Sequence, residues 1–143
     1  MNEIKLLSIF AENKLGFLAK ITQTLATANI NILWFKIIDN SGDNFGLLRV
    51  LVNHRSKAIE NLKANGFTVS SVPILAVYIE DIPGALAGIA DILSKENINI
   101  RNGSGFIFKG KTVLLIETDD KEEAAKILTH SNYNLLNENE LES

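Results

Sequence analysis

The sequence contains no cysteine, which excludes disulfides, thiolate metal sites and cysteine nucleophiles. Histidine is scarce as well. His54 and His130 stand alone, with no partner four residues on and no carboxylate at metal spacing. Both read as surface or helix-end residues, and no metal site is expected. Basic residues are few and scattered: 14 Lys and Arg against 17 Asp and Glu leave a net charge of −3. Without a basic block, nucleic acid is not an expected partner. No apolar run approaches the roughly 18–20 residues of a membrane span. The opening residues, Met1-Asn2-Glu3-Ile4-Lys5, lack the apolar core and cleavage site of a signal peptide. The expectation is a cytoplasmic chain with no membrane partner. There is no P-loop. Gly103-Ser104-Gly105 is not a dinucleotide fingerprint, because the third glycine would fall at Phe108 and no helix begins there. With no Ser-His-acid set either, the reading assigns no catalytic residue, no cofactor and no enzymatic activity.

What the sequence does have is a repeat. Residues 12–32, ENKLGFLAKITQTLATANINI, match residues 80–100, EDIPGALAGIADILSKENINI, at an offset of 68, with ten of 21 positions identical. The hydrophobic fraction of 46% suits a folded globular chain. Two halves of roughly 70 residues are near the lower limit for a self-sufficient core. Packing of the halves together, or an oligomer, is therefore expected.

Each half follows one order. Apolar strands are expected at 4–11 and 74–80, each followed by a short turn that ends at Gly16 or Gly84. Helices then carry Leu18, Ile21 and Leu25, or Leu86, Ile89 and Leu93, on one face, and end at Asn29-Ile30 and Asn97-Ile98. Second strands run over 31–38 and 99–108, where Gly103 and Gly105 suggest a bulge or a close backbone approach. Asp39-Asn40-Ser41-Gly42-Asp43 and Lys109-Gly110-Lys111 close hairpins onto strands at 45–52 and 112–117. Helices at 56–65 and 120–129 follow, with Ser56 and Asp119 or Asp120 as N-caps, and Gly66 as a helix stop. Last strands are expected at 67–71 and, more weakly, 133–136, then a frayed tail over 137–143. The fold class is α+β: two ferredoxin-like βαββαβ domains in tandem, 1–72 and 73–143, each an antiparallel sheet with both helices on one face. The strand at 45–52 is apolar on both faces, which suggests that another subunit covers part of the open face. Of Trp34 and Phe35, one is expected in the core and the other at an interface or ligand.

The strand-to-helix turns are the candidate sites. A helix start presents main-chain N–H groups and partial positive charge to a carboxylate, and glycine lets a ligand come close. Asn13 or Asp81 supplies an acceptor for an ammonium group, and Asn31 or Asn99 opens the next strand, where it is expected to face the same turn. The plainer reading stands beside it, since Asn or Asp in a turn often only caps a helix.

Asn13-x-x-Gly16 and Asp81-Ile82-Pro83-Gly84, each followed by a helix and Asn-Ile-Asn-Ile, resemble the ACT domain, once per half and over nearly the whole chain. The resemblance implies a non-catalytic regulatory protein of amino-acid metabolism that holds a free amino acid between ACT domains. It places ligand contacts at Asn13, Leu15, Gly16 and Asn31, and at Asp81, Pro83, Gly84 and Asn99. It further implies a homo-oligomer, a dimer first, with an enzyme of amino-acid metabolism as partner. Leu15 departs from the proline common in the family. The alternatives are a ligand-free assembly subunit like the acetolactate synthase small subunit, an acylphosphatase-like hydrolase, for which neither turn has the needed Arg, and an RNA-binding module, which the net charge disfavours.

Overall fold

A computed structural model describes residues 3–12, 15–39 and 45–142. The elements are β1 (Lys5–Glu12), α1 (Phe17–Thr27), β2 (Ile32–Asp39), β3 (Phe45–Val52), α2 (Arg55–Ala64), β4 (Val69–Pro73), β5 (Leu75–Ile79), α3 (Ala85–Lys95), β6 (Ile100–Phe108), β7 (Lys111–Thr118), α4 (Lys121–His130) and α5 (Glu138–Leu141). The described residues divide into two compact units, Lys5–Val72 with residues 141–142, and Pro73–Glu140 with residues 3–4.

The first unit holds a four-stranded sheet in the order β2-β3-β1-β4. β3 runs antiparallel to both β1 and β2. Alternate residues point to one face, and Leu7, Ile9, Leu48 and Val50 meet Ile21 and Leu25 of α1 and Ala58 and Leu62 of α2 there. The second unit repeats this with β5-β7-β6, and Leu75, Val77, Leu114 and Ile116 pack under α3 and α4. These are two ferredoxin-like sheets, each with its helices on one face. The expected strand at 133–136 shrinks to a single bridge from Leu135 to Val77 beside β5.

All four long helices stop in the same way. Asn29, Gly66, Asn97 and Asn132 have φ between 59° and 85°, the left-handed region that Gly and Asn enter most easily. The next residue then donates back to the helix: Ile30 N–H to Leu25 O at 3.0 Å and Ile98 N–H to Leu93 O at 2.9 Å. That bond closes a Schellman motif, in which the apolar residue after the left-handed one folds into the core. Ile30 and Ile98 are accordingly buried.

Several expectations change. α2 starts after His54, and Ser56 lies inside the helix. Asp120 does cap α4, accepting from Glu123 N–H. β6 runs unbroken through Gly103 and Gly105; the register shift lies earlier, between Ile100 and Asn102. Neither Trp34 nor Phe35 is buried: Phe35 is 57% exposed and Trp34 half-buried. The segment 137–143 is not a frayed tail through its described part, because α5 forms there and Leu141 is buried. On the sheet faces away from the helices, Leu6, Leu51 and Leu115 are already buried within the single chain. Phe10, on the same face as Leu6, is 43% exposed. The hairpin turn expected at 39–43 lies, from Asn40 on, outside the described residues.

Candidate functional site

Gly16 and Gly84 occupy matching positions at the starts of α1 and α3. Their dihedrals are φ 82°, ψ 3° and φ 89°, ψ −7°. A Cβ at either place would meet nothing within 4 Å. Conformation, not space, therefore selects glycine here. The first helical bonds close on the glycine carbonyls, from Lys20 N–H and Gly88 N–H, both at 2.9 Å. The N–H groups before them belong to the first turn, where a helix has no carbonyl of its own to offer. A glycine has no side chain with which to cap them, whereas Asp120 caps α4. In α3 the first of these, Ala85 N–H, donates to Ile82 O at 3.3 Å within the turn; the remaining first-turn donors and the positive end of each helix lie at the end of the preceding strand, a setting suited to a carboxylate.

Around these glycines the turns face outward. Leu15 is fully exposed and Ile82 is 57% exposed. Asp81 and Pro83 are exposed as well. Asn13 lies outside the described residues. Leu15 and Gly16, and Asp81, Pro83 and Gly84, are therefore placed together within their own turns.

Asn31 and Asn99 are not placed with them. Register pairs Glu12 with Phe45, but Ile32 with Val52. The end of β1 and the start of β2 thus lie at opposite ends of the sheet, about 25 Å apart for eight-residue strands. In the second unit Ile79 pairs with Thr112 and Ile100 with Thr118, with the same result. The cause is the crossover itself: the helix carries the chain back across the sheet before the next strand begins. The expectation that Asn31 and Asn99 face the turn of their own domain is corrected. Both instead serve the strand start. Asn31 N–H donates to Asn53 Oδ1 at 3.0 Å, and Asn53 N–H returns a bond to Asn31 O at 3.2 Å. Asp119 does the same for Asn99, accepting from its N–H at 3.3 Å and donating to its O at 3.1 Å. Arg101 joins that corner, with Nη2 donating to Thr118 O at 3.1 Å and Nε 3.4 Å from Asp119 Oδ1.

One polar cluster escaped the sequence reading. Tyr78 donates its hydroxyl to Glu140 Oε2 at 2.7 Å, and Lys111 Nζ lies 5.3 Å from the Tyr78 ring centroid. Burial pushes the Tyr78 hydroxyl up to about 12, helped by the hydrogen bond and the charge of Glu140. No spacing signal joins residues 62 apart in sequence, and the segment holding Glu140 has too little apolar periodicity to announce a helix.

Among the described residues, no group of three His, Asp or Glu could hold a metal ion. No helix among them is long and apolar enough to cross a membrane.

No curated protein matches the chain. The crystal structure of protein BT0572 from Bacteroides thetaiotaomicron is similar over 99% of this chain and 97% of that one, at 32% identity and a TM-score of 0.91. The ligand-free regulatory subunit of aspartate kinase from Thermus thermophilus shares the fold over 91% of this chain and 93% of its own, at 16% identity and a TM-score of 0.62. A structure of aspartokinase alpha and beta subunits does so over 91% and 92%, at 19% identity and a TM-score of 0.56. A family model for the ACT domain pair matches residues 2–143. The duplicated sheets, the paired glycine turns and that match agree: this chain belongs to the ACT domain pair family.

Proposed function

We propose that this chain, with ACT domains at 1–72 and 73–143, is a non-catalytic regulatory protein that binds a free amino acid between ACT domains. Binding modulates an enzyme of amino-acid metabolism, and the protein acts as a cytoplasmic homodimer. One observation carries the reading: both repeats keep a left-handed glycine at the start of an uncapped helix, with φ 82° and 89°. The ligand carboxylate takes the main-chain donors of α1 or α3, and Asn13 or Asp81 takes the ammonium group. Leu15 and Pro83 shape the turns. The fold shared with a regulatory subunit of aspartate kinase supports a role outside the chemical step. Regulation then requires that the ligand bind one arrangement of the protein more tightly than another.

A thermal-shift screen against the twenty amino acids tests this. A ligand at about 100 times its Kd adds about 2.7 kcal/mol, which for a chain of this size raises Tm by about 5–10 °C. At least one amino acid is expected to do so, and Asp81→Ala or Asn13→Ala is expected to reduce the shift. A flat response to all twenty would sink the ligand and favour an assembly subunit that binds none.

A further inference from the structure

The two repeats diverge on the helix-bearing face of their outer strands. At the 68-residue offset, Phe35 and Ile37 of β2 correspond to Gly103 and Gly105 of β6. Phe35 and Ile37 lie opposite Val50 and Leu48, and the glycines opposite Ile116 and Leu114. Those four partners belong to the cores beneath the helices, so all four outer-strand positions look toward the helix layer. In the first unit two large side chains stand there. In the second the same positions are exposed backbone.

Nothing inside the second unit requires glycine there. Neither residue has a positive φ. A Cβ at Gly103 would come no nearer than 3.7 Å to another atom, and one at Gly105 would meet only Val113 O, at 3.8 Å. Glycine inside a strand weakens it, and often marks the close approach of something else. α3 walls the space above the glycines without filling it. A Cβ at Gly88 would point at Tyr133 Oη, 3.1 Å away, on the flank where Leu135 bridges β5. Leu86 and Ala90 lie two residues to either side, about 200° round the helix, and so flank β6. Both are exposed. Ile107 stands on the same face as the glycines, and register ties it to the candidate turn. It lies opposite Thr112, which lies opposite Ile79, the last residue of β5. The trough therefore opens beside the Asp81–Gly84 turn and runs along β6 away from it, its two glycines about 7 Å apart.

We propose that this trough receives the side chain of the bound amino acid, that the side chain is apolar, and that each chain holds one ligand, in its second unit. The proposal rests on the amino-acid reading of the turn and supplies the part of the site that selects. Carboxylate and ammonium groups are common to all amino acids, so contacts to them do not choose among ligands. Leu86, Ala90, Gly103, Gly105 and Ile107 offer no side-chain donor or acceptor. A polar side chain lying among them loses water and gains no partner. An apolar one covers Leu86 and Ile107, which are 55% and 65% exposed, and gains by removing that surface from water. In the first unit Phe35 and Ile37 fill the matching space with the chain's own atoms, which leaves none for a ligand. The trough also gives β6 a reason to carry glycines that its own sheet does not need.

Calorimetric titration of the full chain with glycine, L-alanine, L-valine and L-leucine reads the trough directly. Affinity is expected to rise about fourfold with each added carbon, and to saturate at one ligand per chain. L-Leucine is expected to bind at least about tenfold more tightly than L-asparagine, which is of similar size but polar. Gly105→Leu fills the trough and leaves the turn intact. It is expected to weaken L-leucine about thirtyfold or more, with unchanged circular dichroism. Leu86→Ser, at an exposed position that folding does not depend on, is expected to weaken it about fivefold and decides the matter if the first variant fails to fold. Tighter binding of a polar amino acid than of any apolar one, two ligands per chain, or L-leucine affinity unaltered by the substitutions overturns the trough and leaves the amino-acid reading standing. Self-association weakened by Gly105→Leu with no amino acid present, measured by sedimentation, would seat a second copy in the trough and overturns it too. No response to any of the twenty amino acids ends both readings.

Discussion

The two halves end their first helices identically and edge their sheets differently. Ile30 and Ile98 return the same bond to Leu25 and Leu93, within 0.1 Å of each other. Phe35 and Ile37, in contrast, stand where the other half has Gly103 and Gly105. What the two copies share is mostly what each unit needs to close its own core. Ile21, Leu25, Asn29 and Ile30 recur because a helix must pack and then stop. Repetition is thus a poor pointer to a ligand unless the structural uses are first subtracted. After that subtraction the glycine turns remain, because the helix could start on a residue with a capping side chain, as α4 does on Asp120. The outer strands carry the opposite lesson: a difference that neither unit needs internally is a sign of something beyond it.

The comparison breaks most visibly in the cores. Leu25 and Leu93 are both fully buried at the last turn of their helices. Leu25→Ala and Leu93→Ala should each cost about 3–4 kcal/mol in urea denaturation, the usual range for such cavities. Equal costs support equivalent units, and a gap above about 2 kcal/mol would show that one core collapses around the loss. Gly16→Ala and Gly84→Ala come next, at about 1–2 kcal/mol each, because alanine resists the left-handed backbone. Circular dichroism should stay helical in both. A negligible cost at either site would mean that its turn relaxes to another conformation.

Much of this was legible beforehand, for physical reasons. Strand and helix order follows from apolar spacing, and the 68-residue offset fixes both copies at once. The Asn-Ile-Asn-Ile tail is legible as a helix end, and Asn29 and Asn97 do end their helices; only the direction expected of Asn31 and Asn99 differs. Asn29 is a left-handed stop, Ile30 a core residue and Asn31 a strand-start residue held by Asn53. One dimension cannot tell which end of a sheet a residue occupies, so Asn31 and Gly16 looked like neighbours when strand geometry separates them. The weak last strand of the second half and α5 were misjudged because tertiary contacts make them. Leu135 bridges Val77, and Glu140 accepts from Tyr78, across separations that no local pattern reports.

The second helices give a smaller contrast. α4 starts on Asp120, whose side chain accepts from Glu123 N–H at 3.2 Å, while α2 starts on His54 with no side-chain cap. Asp120→Ala should cost about 1 kcal/mol, and His54→Asp should gain about 0.5–1 kcal/mol, by removing or supplying the acceptor. Urea midpoints for the two variants should move in opposite directions. A destabilising His54→Asp would show that the histidine ring is needed for packing at that corner.

The smallest effect separates the halves by pH. Tyr78 belongs to the second unit, and its hydroxyl is pushed up to about 12, chiefly by burial and then by Glu140. The unfolded chain ionises this group near pH 10, before the folded one does, so raising the pH favours unfolding. The stability that Tyr78 contributes is therefore complete below pH 10 and is lost as the pH rises through about 12. Tyr78→Phe should lower Tm slightly at neutral pH, where the bond to Glu140 is made. Between pH 10 and 12 its Tm should fall less steeply than that of the unaltered chain, and the two curves should converge. Parallel curves across that window would show that the phenol titrates alike in both states, and that α5 is held by Leu141 with no help from the Tyr78–Glu140 bond.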